Sequence, residues 1–189
     1  MKQKIIDYSI QLFDEKGFTE TSVQDIVEGL NVTKGTFYYY YKSKQELLRD
    51  IHLYYIEYLV KQQEEIINDA NKDSRTKIRE IIYMIIQSIQ ERRRSARIFF
   101  REMRNLQQEY LAQNMQQRDL FRENVQKVIE EGIRAGNFEE NLNADMITRG
   151  ILGITNWSYY WFNPEGDVSA GELTDIYTNM IFNGINKKE

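Results

Sequence analysis

Between Gly29 and Gln45 the chain carries three lysines, Lys34, Lys42 and Lys44, and no acidic residue. Four consecutive tyrosines, 38 to 41, lie in the same window. Ammonium groups interleaved with phenolic hydroxyls offer donors of several reaches to phosphate oxygens and base edges, which is the chemistry of nucleic-acid contact. A second cationic group, Arg92, Arg93, Arg94, Arg97, Arg101 and Arg104, has Glu102 as its one internal acid. Arg97, Arg101 and Arg104 recur at four- and three-residue spacing and so share a helix face. Next to Phe99, Phe100 and Met103 they read as a cationic mouth on an apolar tunnel. Tyr83, Phe121, Trp157 and Tyr160 supply further aromatic lining, and the whole suits a fatty acid or the phosphates of an acyl-CoA. A solvated arginine face, complementing a helix C-terminus, is the alternative.

Catalytic chemistry has little support. The absence of cysteine excludes a thiolate zinc site and a cysteine nucleophile, and a single histidine, His52, allows no multi-histidine cage. Carboxylates are plentiful, but no paired acid–base spacing, phosphate-cradling glycine loop or nucleophile motif accompanies them. No enzyme, cofactor or metal is therefore expected. The longest apolar run is a few residues and the N-terminus lacks a signal-peptide stretch. A cytoplasmic protein with no membrane partner is the expectation.

A length of 189 residues allows one large domain or two small ones. The net charge of −4 argues against a generally basic surface. Residues 1–53 hold seven Lys/Arg against eight Asp/Glu, so only the Gly29–Gln45 window is basic.

One proline, Pro164, and ten glycines leave room for long helices. Ile6, Ile10 and Phe13 share a helical face that ends at Gly17. Thr21 and Gln24 have capping-box spacing before a short helix carrying Val23, Ile26 and Val27. Gly29 to Val32 interrupts it, Gly29 relaxing the backbone, and Thr33 caps a second short helix. Ser43 and Glu46 open a long helix, and 69–74 is a polar link. Ile78, Ile81, Ile82, Ile85, Ile86 and Ile89 mark a helix too apolar to face solvent. Further helices are expected over 95–107, 108–135, 143–162 and 169–185, the last behind a Ser169/Glu172 box. The chain reads as all-α. A three-helix unit containing a helix-turn-helix, residues 1–47, precedes a helical bundle, 48–189.

The run from Thr33 to Leu47, TKGTFYYYYKSKQEL, resembles the DNA-binding segment of the TetR/AcrR family of bacterial transcriptional regulators, and FTETSVQDIV from Phe18 to Val27 fits it too. The resemblance implies base contacts from Lys34, Gly35 and Thr36, with the helix cap Thr33 also at the DNA. It implies phosphate contacts from Tyr38, Tyr40 and Lys44, with Ser22 and Gln24 supporting. Tyr39 would read a base or stack on sugar. Tyr40 stands where the family often has histidine. NWSYYWFNPEGDVS, from Asn156 to Ser169, is similar to the C-terminal part of family members that govern lipid or aromatic-acid degradation.

Two faces in the last helices suit a homodimer interface of the kind this resemblance implies. One combines Gly150 and Gly153 with Ile147, Ile151 and Ile154, the other Leu173, Ile176, Tyr177, Met180 and Gly184. The expectation is thus a dimeric, ligand-responsive repressor on a palindromic double-stranded DNA operator, released by a fatty acid or acyl-CoA. An efflux-gene repressor sensing lipophilic drugs, a lipid-binding or enzymatic helical bundle and a non-specific DNA binder are the alternatives.

Overall fold

The computed structural model describes residues 1–185, with side chains through Asn183, so Gly184 of the second dimer face lies outside the described side chains. Nine α-helices occur among the described residues, and no strand. They are α1 (Lys2–Lys16), α2 (Val23–Gly29), α3 (Lys34–Tyr40), α4 (Lys44–Ile67), α5 (Ser74–Glu91), α6 (Arg93–Arg101), α7 (Gln108–Arg134), α8 (Ala144–Trp161) and α9 (Ala170–Ile185). A single 3-10 turn, Met103–Asn105, separates α6 from α7. The helix expected over 95–107 is therefore two pieces, because the backbone breaks at Glu102.

The helix starts follow the capping chemistry with one change of register. The N-cap of α2 is Ser22, not Thr21. Its hydroxyl accepts from the Asp25 amide at 3.0 Å, and the Asp25 carboxylate accepts from the Ser22 amide at 2.7 Å. The Ser22 hydroxyl, which also donates to the Asp25 carboxylate at 2.6 Å, and then the Ser22 amide hold the Asp25 carboxyl below the ordinary carboxylate range. Thr21 is buried and donates to the Gly17 carbonyl at 2.8 Å, closing the loop after α1. Thr33 caps α3 through the Thr36 amide at 3.2 Å. Ser169 and Glu172 bond reciprocally at the start of α9. Ser43 accepts from the Glu46 amide, while the Glu46 carboxylate turns to the Lys42 amide.

The chain divides into two compact units, and the division differs from a single cut at residue 47. The first unit is Met1–Glu57 with Arg92–Gln117; the second is Tyr58–Glu91 with Arg118–Glu189. The core of the first unit joins Ile5, Leu12 and Phe13 of α1 to Ile26, Phe37, Tyr41 and Leu47, and also to Ile98 and Leu106. α6 belongs here because its apolar side faces this core while Arg97 donates to the Asp14 carboxylate of α1. The Gln45 amide adds a bond to the Asn105 carbonyl at 2.7 Å. Neither of these separations, 60 and 83 residues, has a local signal in the sequence.

In the second unit α5 is the central helix. All six expected isoleucines are buried, each contributing roughly 1.5–3 kcal/mol by removal from water. α5 packs against α8 and α9. Gln63 of α4 is fully buried and donates to the Phe121 carbonyl at 2.9 Å, while Asn124 donates to its oxygen at 3.0 Å, so this polar pair is satisfied within the interior. The α7 C-terminus stops at Gly136, whose φ of 74° lies in the left-handed region that glycine enters without strain.

Candidate functional site

α2 and α3 form the expected helix-turn-helix. Phe37 is fully buried in the first unit's core and fixes one face of α3, leaving the opposite face to solvent. The left-handed residue of the turn is Asn31, φ 53°, not Gly29. Gly29 serves a different need, since a Cβ there would lie 2.1 Å from the Tyr8 hydroxyl.

On the outward side of α3 stand Lys34, Gly35, Tyr38 and Tyr39, all exposed, with Thr36 and Tyr40 half-buried. Tyr39 is 81% exposed, and its ring meets Tyr40 edge to face at 4.8 Å. Phe37 supports Tyr38 in the same way at 5.4 Å. Ser22 and Gln24 are exposed on α2, where Gln24 donates to Glu28 at 2.5 Å. Nine of the ten expected DNA-facing residues therefore lie on the helix-turn-helix itself, either at the surface or half-buried.

Lys44 is placed differently. Its ammonium donates to the carbonyls of Phe18 at 2.6 Å and Thr21 at 2.5 Å, with Thr19 at 3.4 Å, and sits 4.2 Å from the centre of the Phe18 ring. Burial depresses its pKa, against the attraction of Asp25, Glu20 and Glu102. Three N–H donors meet three backbone acceptors, so this lysine clamps the α1–α2 loop to the start of α4. The sequence window pointed to a phosphate contact; the clamp was hidden because its partners are 23 to 26 residues away.

The expected tunnel residues are divided between the two compact units. Arg97 is committed to Asp14, whose side chain is only 5% exposed and also has Arg94 at 3.9 Å and Arg101 at 4.0 Å. Arg94, Arg97 and Arg101 thus gather around one carboxylate of α1. Phe99 is buried against His52, Tyr55 and Phe100 within the first unit. Met103 and Arg104 lie on the 3-10 turn, and Phe121 is buried in the second unit. Tyr83 lines an open groove of about 600 Å³ in the second unit, with Tyr58, Ile66, Met84, Glu65 and Glu91 among its walls.

Trp157 and Tyr160 stack at 5.1 Å on the surface of α8, 56% and 71% exposed. They continue a stripe of exposed residues Met146, Gly150 and Gly153 at helical spacing. Ile176 and Met180 of α9 are exposed as well, whereas Ile151 and Leu173, expected on the same faces, are buried inward. Met146, Trp157 and Tyr160 are the members of this surface that apolar spacing alone did not assign to it. Exposed methionine and tryptophan have the same hydrophobic signature as core residues.

The clamp sets an expected outcome. Lys44→Met leaves the Phe18 and Thr21 carbonyls without their donor and should lower the chemical-denaturation free energy by about 1–3 kcal/mol. Lys42→Met, at an exposed side chain, should leave the midpoint unchanged. Equal midpoints for the two variants would show that Lys44 holds nothing.

Two family models match the chain. Residues 5–51 match the tetR family of bacterial regulatory proteins, and residues 71–185 match the tetracyclin repressor-like C-terminal domain. The HTH-type transcriptional repressor KstR2 of Mycolicibacterium smegmatis is 22% identical, with 100% of this chain and 92% of that protein covered. The TetR family regulator PfmR of Thermus thermophilus superposes with a TM-score of 0.88 at 27% identity, covering 97% and 99% of the two chains. The structure of AibR in complex with isovaleryl coenzyme A and operator DNA superposes with a TM-score of 0.86 at 20% identity, covering 95% and 97%. The helix-turn-helix, the all-helical architecture and the match to both family models place this chain in the TetR family of transcriptional regulators, not among enzymes.

Proposed function

We propose that the protein is a homodimeric repressor that reads a palindromic operator through α3 and leaves it when a small hydrophobic effector binds. Gly35 carries the DNA reading. Glycine within a helix costs up to about 1 kcal/mol relative to alanine, and nothing inside the protein requires it here. A Cβ at Gly35 would meet only the Thr33 hydroxyl oxygen, at an ordinary 3.5 Å. The space is kept for something outside the chain, and close approach of a base edge or sugar to the backbone accounts for it. Lys34 and Thr36 flank it and would meet base edges. Tyr38 and Tyr40 reach phosphates, Tyr39 a base or sugar, and Ser22 and Gln24 the backbone beside α2. Lys44 acts through the loop it holds.

The same reasoning supports the dimer. A Cβ at Gly150 or Gly153 would meet nothing within 4 Å, yet both interrupt a helix interior. Flanked by exposed Met146, Trp157 and Tyr160, with Ile176 and Met180 on α9, they leave a groove that a second copy's helix fills closely. A dimer would set two α3 helices about 34–36 Å apart, one DNA turn. A cytoplasmic location follows from a chromosomal operator.

For the effector we favour an acyl-CoA or fatty acid, because AibR, of the same fold, holds isovaleryl coenzyme A. A lipophilic cation is the second reading. It rests on the groove of the second unit, where the Tyr58 and Tyr83 rings and Met84 stand with the carboxylates of Glu65 and Glu91, beside Arg79 and the Lys72–Glu80 ion pair. Whichever ligand acts, it must bind one dimer geometry more tightly than the other in order to move the population.

Three measurements test this reading. Gly35→Ala should keep or raise the thermal midpoint yet weaken binding to the duplex selected by the full chain from random DNA at least tenfold, about 1.4 kcal/mol; unchanged affinity removes the close-approach role. Gly153→Leu should convert the sedimenting species from dimer to monomer without loss of helicity; a dimer that persists moves the interface elsewhere. In a thermal-shift panel, acyl-CoAs should raise the midpoint and lipophilic cations should not. The reverse pattern selects the groove reading.

A further inference from the structure

The unit that carries the helix-turn-helix is electrostatically incomplete without α6. Its Met1–Glu57 portion holds seven Lys/Arg against nine Asp/Glu, a net of −2. The Arg92–Gln117 portion adds six arginines against two glutamates, bringing the unit to +2. The second unit has twelve against eighteen, a net of −6. The basic charge of the first unit is thus supplied by the arginine helix and not by the DNA-reading segment.

Two of those arginines stand at the end of the unit where α2 and α4 begin. A concavity there is lined by Lys16, Thr19, Glu20, Arg101 and Arg104, in the loop that leads directly to the Ser22 cap. The Gln45 bond to the Asn105 carbonyl ties the 3-10 turn bearing Arg104 to the first turn of α4. Both arginines are exposed. Among the described residues the one carboxylate within ion-pair distance of Arg101 is Asp14, at 4.0 Å, and Arg97 already occupies it. Arg104 has no ion-pair partner among the described residues. The acids of the concavity are otherwise engaged or outnumbered. Glu102 is buried and accepts from the Asn105 side chain at 2.6 Å, while Glu20 faces Lys16, Arg101 and Arg104.

Building on the operator reading above, we propose that Arg101 and Arg104 form a second phosphate-contact site, gripping the DNA backbone that flanks the half-site read by α3. Guanidinium groups suit this task, since each presents a planar fork of donors to phosphate oxygens and remains charged at every working pH. The contact supplies affinity without base preference. Four such arginines in a dimer would release roughly 3–4 counterions.

The test uses the full chain and the duplex it selects from random DNA, in a long form and in a form trimmed to the two half-sites. Arg101→Ala/Arg104→Ala should reduce the slope of log K against log salt by roughly 3–4 units on the long duplex, Arg104→Ala alone by about half as much. Base preference should be unchanged. Arg101→Lys/Arg104→Lys, which keeps both charges, should retain most of the slope, and wild type on the trimmed duplex should resemble the double alanine variant. Slopes that match wild type within one unit overturn the proposal, as does a double lysine variant as defective as the alanine one. A wild-type chain that selects no sequence at all overturns the operator reading itself, and this inference with it.

Discussion

The helix-turn-helix of this protein depends on the ammonium group of Lys44. Its donors engage the carbonyls of Phe18, Thr19 and Thr21, and its charge rests on the Phe18 ring. Everything between those two points, the α2 helix, the Asn31 turn and α3, is held at both ends by this contact. A lysine pays a desolvation penalty for sitting there, visible as its lowered pKa, and the surrounding carboxylates of Asp25, Glu20 and Glu102 offset part of it. A charge-assisted donor to several carbonyls does what no apolar residue could, because it satisfies backbone groups that a loop otherwise leaves to water.

The helical glycines separate intramolecular constraints from external ones. Gly29 and Gly132 are required from within, since an added Cβ would collide with Tyr8 or Phe138 at 2.1 and 2.3 Å. Gly150 and Gly153 face open space and a Cβ at Gly35 would make only an ordinary contact with Thr33, so their helices bear the cost for no internal packing. These three surface positions, where the chain forgoes a side chain, lie on α3 and on the exposed apolar stripe of α8. That coincidence links the DNA reading to the dimer reading on the same physical ground.

Charge tells a similar story at a larger scale. An acidic chain can carry a basic unit when opposite charges segregate between compact parts, and here the segregation is accomplished by α6. Its arginines divide their work. Arg97, with Arg94 nearby, neutralises the nearly buried Asp14 and fastens α6 to α1, while Arg101 and Arg104 remain at the surface beside the α1–α2 loop. One periodic cluster therefore serves packing and surface charge at once.

The sequence by itself determined the helices, most of their caps, the buried isoleucine face of α5 and the helix-turn-helix with its exposed lysine and tyrosines. These follow from interactions within four residues of one another, where apolar period and capping chemistry are sufficient. Only the tertiary structure decided what each charged or aromatic side chain faces. It moved the α2 cap from Thr21 to Ser22, turned Lys44 from solvent to a loop, gave Arg97 to Asp14, and drew α6 into the unit of α1. It also assigned Phe99 to the first compact unit and Phe121 and Tyr83 to the second. The reason is common to all of them: a guanidinium, an ammonium or an aromatic ring has the same local signature whether it meets ligand, solvent or a partner 83 residues away, and only the packing of distant segments chooses among the three.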